Sequence, residues 1–211
     1  MATVNSGLNR HEKGEAVADA ASSPFYTRDA TRMDIAAITA IYGFHVAQGA
    51  GTFEEVAPSP DEVRRRFDNV RARGLPWRVA EIDGAVIGYC YASPYNARSA
   101  YKFTVQSSVY VDPRWQHRGI GTALLQDVIR TCKALGYHQI LAAIGDSRNE
   151  GALRLHAVAG YRTIGQALRV GVKFGRWVDV VYMQRSLNDP NVPPPADYPI
   201  GFCVAEDQTG P

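Results

Sequence analysis

The sequence predicts an α/β (α+β) fold, in which one domain has a mixed, mostly antiparallel sheet with helices on both faces. Its 211 residues are 45% hydrophobic and 21% charged, which is the balance of a single globular domain of ordinary size. Apolar stretches with the two-residue period of strands alternate with stretches that have the roughly 3.6-residue period of helices. Asp83-Gly84 joins two of the apolar stretches, and this dipeptide is typical of an antiparallel hairpin turn.

The predicted elements follow one another in the order β-α-α-β-β-β-α-β-α-β-β. They are strand 25–27, helices 35–45 and 61–70, strands 77–82, 85–92 and 103–111, helix 119–135, strand 137–144, helix 149–159, and strands 161–172 and 178–184. The first helix is indicated by apolar residues at three- and four-residue steps, and the second by its acidic first turn. Pro113 ends the strand that precedes the third helix, and Gly136 suits the C-terminal end of that helix.

The two ends of the chain differ in composition from this domain. Residues 1–23 are small and polar without a sustained apolar period, which predicts a disordered lead-in. Residues 188–211 are rich in proline, which blocks regular structure and predicts an irregular tail. The folded domain is therefore expected to span residues 24–187.

Charge and cysteine usage exclude several classes of protein. The formal charge of +2 argues against a strongly basic nucleic-acid binder. No apolar run approaches the roughly 20 residues that cross a bilayer, and no secretory signal is recognisable, so no membrane partner is expected. Cys90, Cys132 and Cys203 are widely spaced, which argues against disulfides or a structural zinc and indicates a reducing, cytoplasmic location. No metal site is predicted.

The segment from Val109 to Leu124 carries the strongest functional signal. A strand ends, a basic loop with Gly119 and Gly121 follows, and a long helix begins. Glycines let backbone N–H groups approach a ligand closely, and a helix N-terminus adds partial positive charge, so the segment suits a phosphate or pyrophosphate. The glycines are equally compatible with a tight turn that binds nothing.

Two other phosphate-binding motifs fit this segment poorly. A P-loop requires Lys and then Ser or Thr after its second glycine, but Thr122 and Ala123 follow Gly121. A dinucleotide fingerprint requires glycine in place of Leu124 and a loop that follows its strand directly, whereas residues 112–118 intervene. A nucleotide-binding Rossmann domain is therefore a remote alternative.

The spacing Gln116-x-x-Gly119-x-Gly121 resembles the coenzyme A signature of the GNAT N-acetyltransferases. Nearly all of residues 25–187 is similar, in order, to the phosphinothricin and methionine sulfoximine acetyltransferases of that superfamily. The matching residues are Thr52-Phe53-Glu54, Tyr101, Thr104-Val105, Ser107, Val109-Tyr110-Val111, Asn149, Arg154-Leu155-His156, Gly160-Tyr161, Lys173, Gly175, Trp177, Asp179-Val180 and Gln184-Arg185.

The resemblance implies a GNAT-like domain that uses acetyl-CoA as co-substrate. The motifs contain no cysteine to carry an acetyl group, so direct attack by the amine in a ternary complex is expected. The N–H of Val111 would polarise the thioester oxygen. The other implied cofactor contacts are the backbone of Val109, Tyr110 and Val111 on the pantetheine arm, Asn149 on its amides, and Gln116, His117, Arg118, Gly119, Ile120, Gly121 and Thr122 around the pyrophosphate.

Proton transfer is assigned by resemblance to His156, which would protonate the departing thiolate. A histidine bonded to a nearby carbonyl for structural reasons is the alternative interpretation. The phosphinothricin enzymes carry a glutamate general base where this chain has Gln106, and a carboxamide accepts no proton. His156 or Glu54 acting through water could replace that base, or the amine could arrive neutral, or the chemistry could have been lost. His45, His117 and His138 are assigned no catalytic role.

The expected substrate is a small-molecule amine of the glutamate type, such as phosphinothricin, methionine sulfoximine or methionine sulfone. Arg98 with Tyr101 matches the substrate loop of the family and is a candidate carboxylate clamp, while Phe53 and Glu54 would face the amine. A loop packed on its own aromatic residues is the structural alternative. A homodimer is expected by resemblance. An acetyltransferase for another amine, and a catalytically impaired CoA-binding module, are the alternative functions.

Overall fold

The fold is built on one sheet, and the computed structural model describes residues 25–189 and 191–193 of the chain. The strands are β1 (Tyr26–Asp29), β2 (Trp77–Ile82), β3 (Ala85–Pro94), β4 (Thr104–Val111), β5 (Gln139–Gly145), β6 (Arg162–Lys173) and β7 (Arg176–Ser186), and the helices are α1 (Ile35–Gln48), α2 (Pro60–Ala72), α3 (Ile120–Ala134) and α4 (Glu150–Val158). The predicted elements are confirmed in their predicted order, with ends that differ by up to three residues. The predicted lead-in and most of the predicted tail lie outside the described residues.

The seven strands form one sheet in the order β1-β2-β3-β4-β5-β7-β6. Every neighbouring pair is antiparallel except β4 and β5, so the mostly antiparallel sheet is confirmed. The parallel pair is short, because Thr104, Val105 and Gln106 of β4 oppose Gln139, Ile140 and Leu141 of β5 and no later residues do. Beyond this point β4 pairs only with β3, and β5 pairs only with β7. The two strands therefore diverge and leave an opening in the middle of the sheet.

Helices cover both faces of the sheet, as predicted. The ring of Tyr110 on β4 lies 4.9 Å from the ring of Tyr42 on α1. A Cβ on Gly121 of α3 would lie 3.6 Å from the side chain of Val111, the next residue of β4. Because successive strand residues point to opposite faces, α1 and α3 lie on opposite sides of the sheet. Helix α2 packs with α1, and α4 packs with α3.

Local sequence explains where several elements begin and turn. Asp83 and Gly84 both have positive φ, which the predicted hairpin turn requires. Helix α2 begins one residue earlier than predicted, because the Ser59 hydroxyl accepts the N–H of Glu62 at 3.2 Å and Pro60 suits the first helical position. At the end of α3, Gly136 takes the left-handed conformation predicted for it.

The β6–β7 hairpin exposes a large apolar surface. Strand β6 lies at the edge of the sheet and is exposed along most of its length. We call the following exposed side chains the hairpin face: Ile164, Leu168, Val170, Val172 and Trp177. None of the described helices combines the length and apolarity that crossing a bilayer requires.

Candidate active site

The opening between β4 and β5 is the mouth of a cavity of about 890 Å³. This volume is enough for an elongated organic cofactor together with a small substrate. Both faces of the sheet contribute to its walls, because the strands have separated there. The lining consists mainly of His45 and residues 48–51 after α1, 107–111 of β4, 115–117 and 119–122 at the start of α3, 142–144 of β5, and 148–152 and 154–156 around α4.

The Val111 N–H points into this cavity. A Cβ on Gly88 of β3 would lie 3.1 Å from the carbonyl oxygen of Tyr110, so that oxygen faces β3. The peptide bond that joins Tyr110 to Val111 is trans, so its N–H points the opposite way, toward the opening. The next N–H, that of Asp112, again faces β3 and donates to the oxygen of Ile87 at 2.9 Å. The predicted oxyanion donor therefore has the required direction.

The start of α3 offers several backbone donors to the same cavity. Gly119 precedes the helix with a φ of +78°, and no side chain of the described residues caps the N–H groups that follow it. Helix α4, by contrast, has a side-chain cap. A Cβ on Gly121 would lie 3.2 Å from Leu155, so glycine permits the close approach of α3 to α4. Uncapped N–H groups at a helix N-terminus attract phosphate, and the predicted pyrophosphate loop fits this cradle.

Not every residue of the predicted loop faces the cavity. Gln116, His117 and residues 119–122 line it. The Arg118 guanidinium instead lies 4.8 Å from the ring of Trp115, in a cation–π contact, and Arg118 is not part of the cavity wall. The Arg118 side chain must therefore change rotamer before its charge can reach a pyrophosphate in the cavity, as the resemblance implies.

Asn149 caps α4 and also lines the cavity, so its geometry allows a structural role beside the predicted cofactor contact. Its side-chain oxygen accepts the N–H of Ala152 at 3.2 Å and caps α4. Its amide nitrogen lies toward Gly51, where a Cβ would be 3.2 Å away, and the residue lines the cavity. The amide nitrogen is thus the part of Asn149 that can donate to a ligand.

His156 is buried, with 4% of its surface exposed, and lines the cavity. Its Nδ1 lies 2.9 Å from the carbonyl oxygen of Ala152. A carbonyl only accepts, so Nδ1 carries the proton and the neutral ring presents a bare Nε2, which has no partner among the described residues. Burial lowers the pKa of His156, so this neutral state is favoured at neutral pH. The bare Nε2 can accept a proton, and the predicted donation to the thiolate requires that it do so first.

The point where the strands diverge is held by buried hydroxyl groups. The Ser107 hydroxyl donates to the carbonyl oxygen of Leu141 on β5 at 3.2 Å and lies 2.9 Å from the Tyr161 hydroxyl. The Tyr161 ring packs edge-on against His156, with ring centroids 5.1 Å apart. Burial raises the pKa of Tyr161, which therefore stays protonated. These contacts fix the apex of the opening next to the imidazole.

Gln106 and Glu54 lie on the other side of the sheet from His156. Gln106 is half-buried at the last paired position of β4 and is not part of the cavity wall. The Glu54 carboxylate is already engaged, since it accepts from the Tyr42 hydroxyl at 3.0 Å and from the Arg66 guanidinium at 2.7 Å. Glu54 does not line the cavity either.

The remaining predicted substrate residues also lie off the cavity wall. The Phe53 ring packs against Gly171, where a Cβ would come within 2.8 Å of it. Arg98 is exposed, and its N–H bonds the Asn96 side chain at 2.9 Å. Tyr101 packs on Tyr95 with ring centroids 5.3 Å apart, as expected for a loop that packs on its own aromatic residues. A role in substrate binding for these residues stays a prediction.

Two parts of the site have no counterpart in the sequence analysis. His45, at the end of α1, bonds the carbonyl oxygen of Val111 through Nε2 at 2.9 Å. The loop of residues 49–51 lies against the end of β5 so closely that a Cβ on Gly145 would be 2.5 Å from the Ala50 oxygen. Both contacts join residues that are far apart in the sequence. The only sequence pattern that bears on them is the apolar period of the predicted helix 35–45, which ends at His45.

Comparisons with known proteins identify the family of this chain. The model of the acetyltransferase (GNAT) family matches residues 43–161. The phosphinothricin N-acetyltransferase of Alcaligenes faecalis is 48% identical over 155 residues, which are 74% of this chain and 79% of that protein. The L-methionine sulfoximine/L-methionine sulfone acetyltransferase of Salmonella typhimurium is 34% identical over 79% of this chain and 96% of its own length.

A solved structure shows the same architecture with a ligand. The crystal structure of a GNAT superfamily phosphinothricin acetyltransferase from Sinorhizobium meliloti, in complex with acetyl-CoA, is 39% identical and superposes with a TM-score of 0.78. The match covers 83% of this chain and 96% of that one. The predicted fold class is thereby confirmed against an experimental neighbour.

Proposed function

This chain belongs to the acetyltransferase (GNAT) family and is an N-acetyltransferase, and on that premise we propose that it acetylates the amino group of a glutamate-like amino acid. Phosphinothricin, methionine sulfoximine and methionine sulfone are the substrate types that its relatives' names support. Acetyl-CoA supplies the activated acetyl group. The observation that carries the proposal is the cavity that places the Val111 N–H, the start of α3 and the bare Nε2 of His156 around one opening.

Each wall of the cavity has a place in binding acetyl-CoA. The uncapped N–H groups at the start of α3 take the pyrophosphate, which has the charge that a helix N-terminus favours. The unpaired edge of β4 and the Asn149 amide nitrogen bind the pantetheine arm. The Val111 N–H then meets the thioester oxygen, where negative charge develops as the amine attacks.

His156 is the proton acceptor in this proposal. The amine arrives as an ammonium ion, which must lose two protons to become an amide. Nε2 accepts the first, which frees the nitrogen lone pair for attack, and releases it to solvent. Nε2 then accepts the second as the new N–C bond forms and the C–S bond breaks. The resulting imidazolium returns the proton to the departing thiolate, so the resting neutral ring is restored. General-base help of this kind is worth roughly 10²–10⁴ in rate. Gln106 accepts no proton, and Glu54 is held by Arg66, so neither competes for the role.

Direct transfer is favoured over an acyl-cysteine intermediate. The cysteines of the described residues, Cys90 and Cys132, are buried and lie outside the cavity wall. Burial raises the pKa of the Cys132 thiol to about 12. A thiol that remains protonated is a poor nucleophile, so the amine attacks the thioester itself in a ternary complex. Two unoxidised thiols also suit the proposed cytoplasmic location.

The test is an amine panel read by release of free thiol, combined with His156→Gln. Glutamine can still donate to the Ala152 carbonyl but accepts no proton. We expect turnover with phosphinothricin, methionine sulfoximine or methionine sulfone, and a loss of roughly 10²–10⁴ in kcat/KM in the variant. CoA affinity by calorimetry should be unchanged. The matched control is His138→Gln, a histidine off the cavity wall, which should behave as wild type.

The pH profile gives an independent readout. Because burial lowers the pKa of His156 below its ordinary value of about 6.5, wild-type kcat/KM should fall only as pH drops below that value. His156→Gln should lack this acidic limb. An unaltered limb in the variant would remove His156 from the mechanism.

A CoA-binding module without catalysis is the second candidate, and Gln106 favours it. Such a protein would bind acetyl-CoA in calorimetry and release no thiol with any amine. Release of thiol only with other amino acids or polyamines would keep the activity and change the substrate. Absence of CoA binding would overturn both functions.

We also propose that the enzyme is a homodimer that buries the hairpin face. An exposed edge strand with apolar side chains is an unprotected pairing surface, and a second copy of the chain is the simplest way to cover it. Sedimentation should give twice the 23.1 kDa chain mass. Val170→Asp should yield a monomer, whereas Met33→Asp, a control on the exposed turn before α1, should not. A monomeric wild-type chain would refute this proposal.

A further inference from the structure

His45 replaces a hydrogen bond that the divergence of the sheet removes. In a continuous sheet the edge of β4 that faces β5 would bond a neighbouring strand, but pairing ends at Gln106. The Val111 carbonyl oxygen instead accepts from His45 Nε2 at 2.9 Å. Because a carbonyl only accepts, Nε2 carries a proton there. The half-buried imidazole is thus a donor at the end of the opened strand.

This contact holds one peptide group from both sides. The carbonyl of the Val111–Asp112 peptide accepts from His45, and its N–H donates to the Ile87 oxygen on β3 at 2.9 Å. The preceding peptide has its carbonyl toward Gly88 and its N–H toward the cavity. The two planes are joined through φ and ψ of Val111, so holding the second plane limits the rotations that would turn the Val111 N–H away from the cavity.

The position of His45 is itself well supported. It lies in the last turn of α1, whose residues Ile41, Tyr42 and Val46 are buried in the core. Its ring also contacts Tyr110, with centroids 5.5 Å apart, on the strand that it bonds. The imidazole therefore connects a rigid helix to the peptide that follows the oxyanion donor, and it lines the same cavity.

We propose that His45 is a positioning residue that aims the Val111 N–H at the thioester oxygen, an inference that rests on the proposed function. His45 itself touches neither the acetyl group nor the amine. Its removal should reduce catalysis by a fraction of what loss of a whole oxyanion donor costs, which is roughly 10²–10³ in rate. A decrease of about 10-fold to 100-fold in kcat is expected.

The experiment compares His45→Leu with His45→Gln. Leucine has similar bulk and no donor, whereas the glutamine amide can still donate to the Val111 carbonyl. We expect the kcat loss in His45→Leu, with KM for acetyl-CoA and calorimetric affinity for free CoA close to wild type. Free CoA has no acetyl oxygen, so its binding should not depend on the aimed N–H. His45→Gln should recover most of kcat, and His138→Leu should have no effect.

A second readout does not depend on turnover. In amide NMR, the N–H of Asp112 should exchange with solvent faster in His45→Leu than in wild type. Acetyl-CoA should also shift the Val111 amide less in that variant, whereas the shift caused by free CoA should be unaltered. His45→Gln should resemble wild type in both measurements.

The outcomes separate the two proposals. Unchanged kcat, equal losses in both variants, or unchanged exchange at Asp112 would overturn the role of His45. If wild type releases no thiol with any amine, the proposed function fails, and the exchange and shift measurements still decide whether His45 holds this peptide. The aiming role would also be overturned if Asp112 exchanged faster in His45→Leu while acetyl-CoA shifted the Val111 amide as much as in wild type.

Discussion

Gly145→Ala tests the contact that positions the loop of residues 49–51. Gly145 ends β5, and an added Cβ would lie 2.5 Å from the Ala50 carbonyl oxygen and 3.0 Å from the carbonyl atoms of Gly51. Both neighbours are backbone, so no side-chain rotation can relieve the overlap. The loop must move, and it lines the cavity. Overpacking of this kind typically costs about 1–3 kcal/mol, and we expect about 2 kcal/mol here.

Urea unfolding and CoA calorimetry measure the two consequences. The midpoint should fall with an unchanged m-value, and CoA affinity should decrease because the displaced loop intrudes on the cavity. Gly43→Ala is the matched control, since its Cβ would make only an ordinary 3.6 Å contact with Ala57. Within α1 that substitution should stabilise the protein by about 0.5–1 kcal/mol. Wild-type stability and CoA affinity in Gly145→Ala would refute the close packing of this loop.

Substitutions at three further positions test individual groups of the molecule. Gln106→Glu should leave kcat and the pH–rate profile close to wild type, because residue 106 lies off the cavity wall and His156 takes the proton; a higher kcat with an altered acidic limb would make residue 106 the base. Asp127→Asn removes one of the two carboxylates that pair with the Arg78 guanidinium, the other being Asp29 at 3.0 Å, and should cost about 2 kcal/mol in urea unfolding. The partners of Asp127 lower its pKa. The extra free energy of unfolding that wild type has over Asp127→Asn should therefore be complete above about pH 4 and vanish as pH falls through the lowered pKa. Asn149→Ala should lose about 1 kcal/mol with the cap on the Ala152 N–H and weaken CoA binding, whereas Asn149→Asp should weaken CoA binding alone.

The elements were predictable because their signals are local. Asp83-Gly84 specifies a turn with two positive φ angles, and the two strands beside it can hardly pair otherwise. The glycines at 119 and 121 indicate where α3 begins, because glycine is favoured at the left-handed φ of residue 119 and lets Leu155 approach residue 121 closely. Resemblance to known acetyltransferases added the identity of the ligand, which these local rules could not supply.

The geometry of the site was not predictable in the same way. Pairing between β4 and β5 ends at Gln106, and no residue pattern marks that point, because Val109 and Val111 continue the alternation of an ordinary strand. The proton acceptor role of His156 depends on Ala152 and on burial, which appear only after α4 is placed. The sequence also left Glu54 open as a base, and its pairing with Arg66, twelve residues later in α2, appears only in the folded structure.

The opening between β4 and β5 costs hydrogen bonds, and the chain replaces them selectively. At the apex, the Ser107 hydroxyl bonds the Leu141 carbonyl just beyond the last paired residue. At the far end, His45 bonds the Val111 carbonyl. Both replacements are directed at carbonyl oxygens, so the inward N–H of Val111 between them stays available. A site that polarises a thioester oxygen needs donors, and the selective satisfaction of acceptors explains how a broken sheet remains stable while keeping a donor for its ligand.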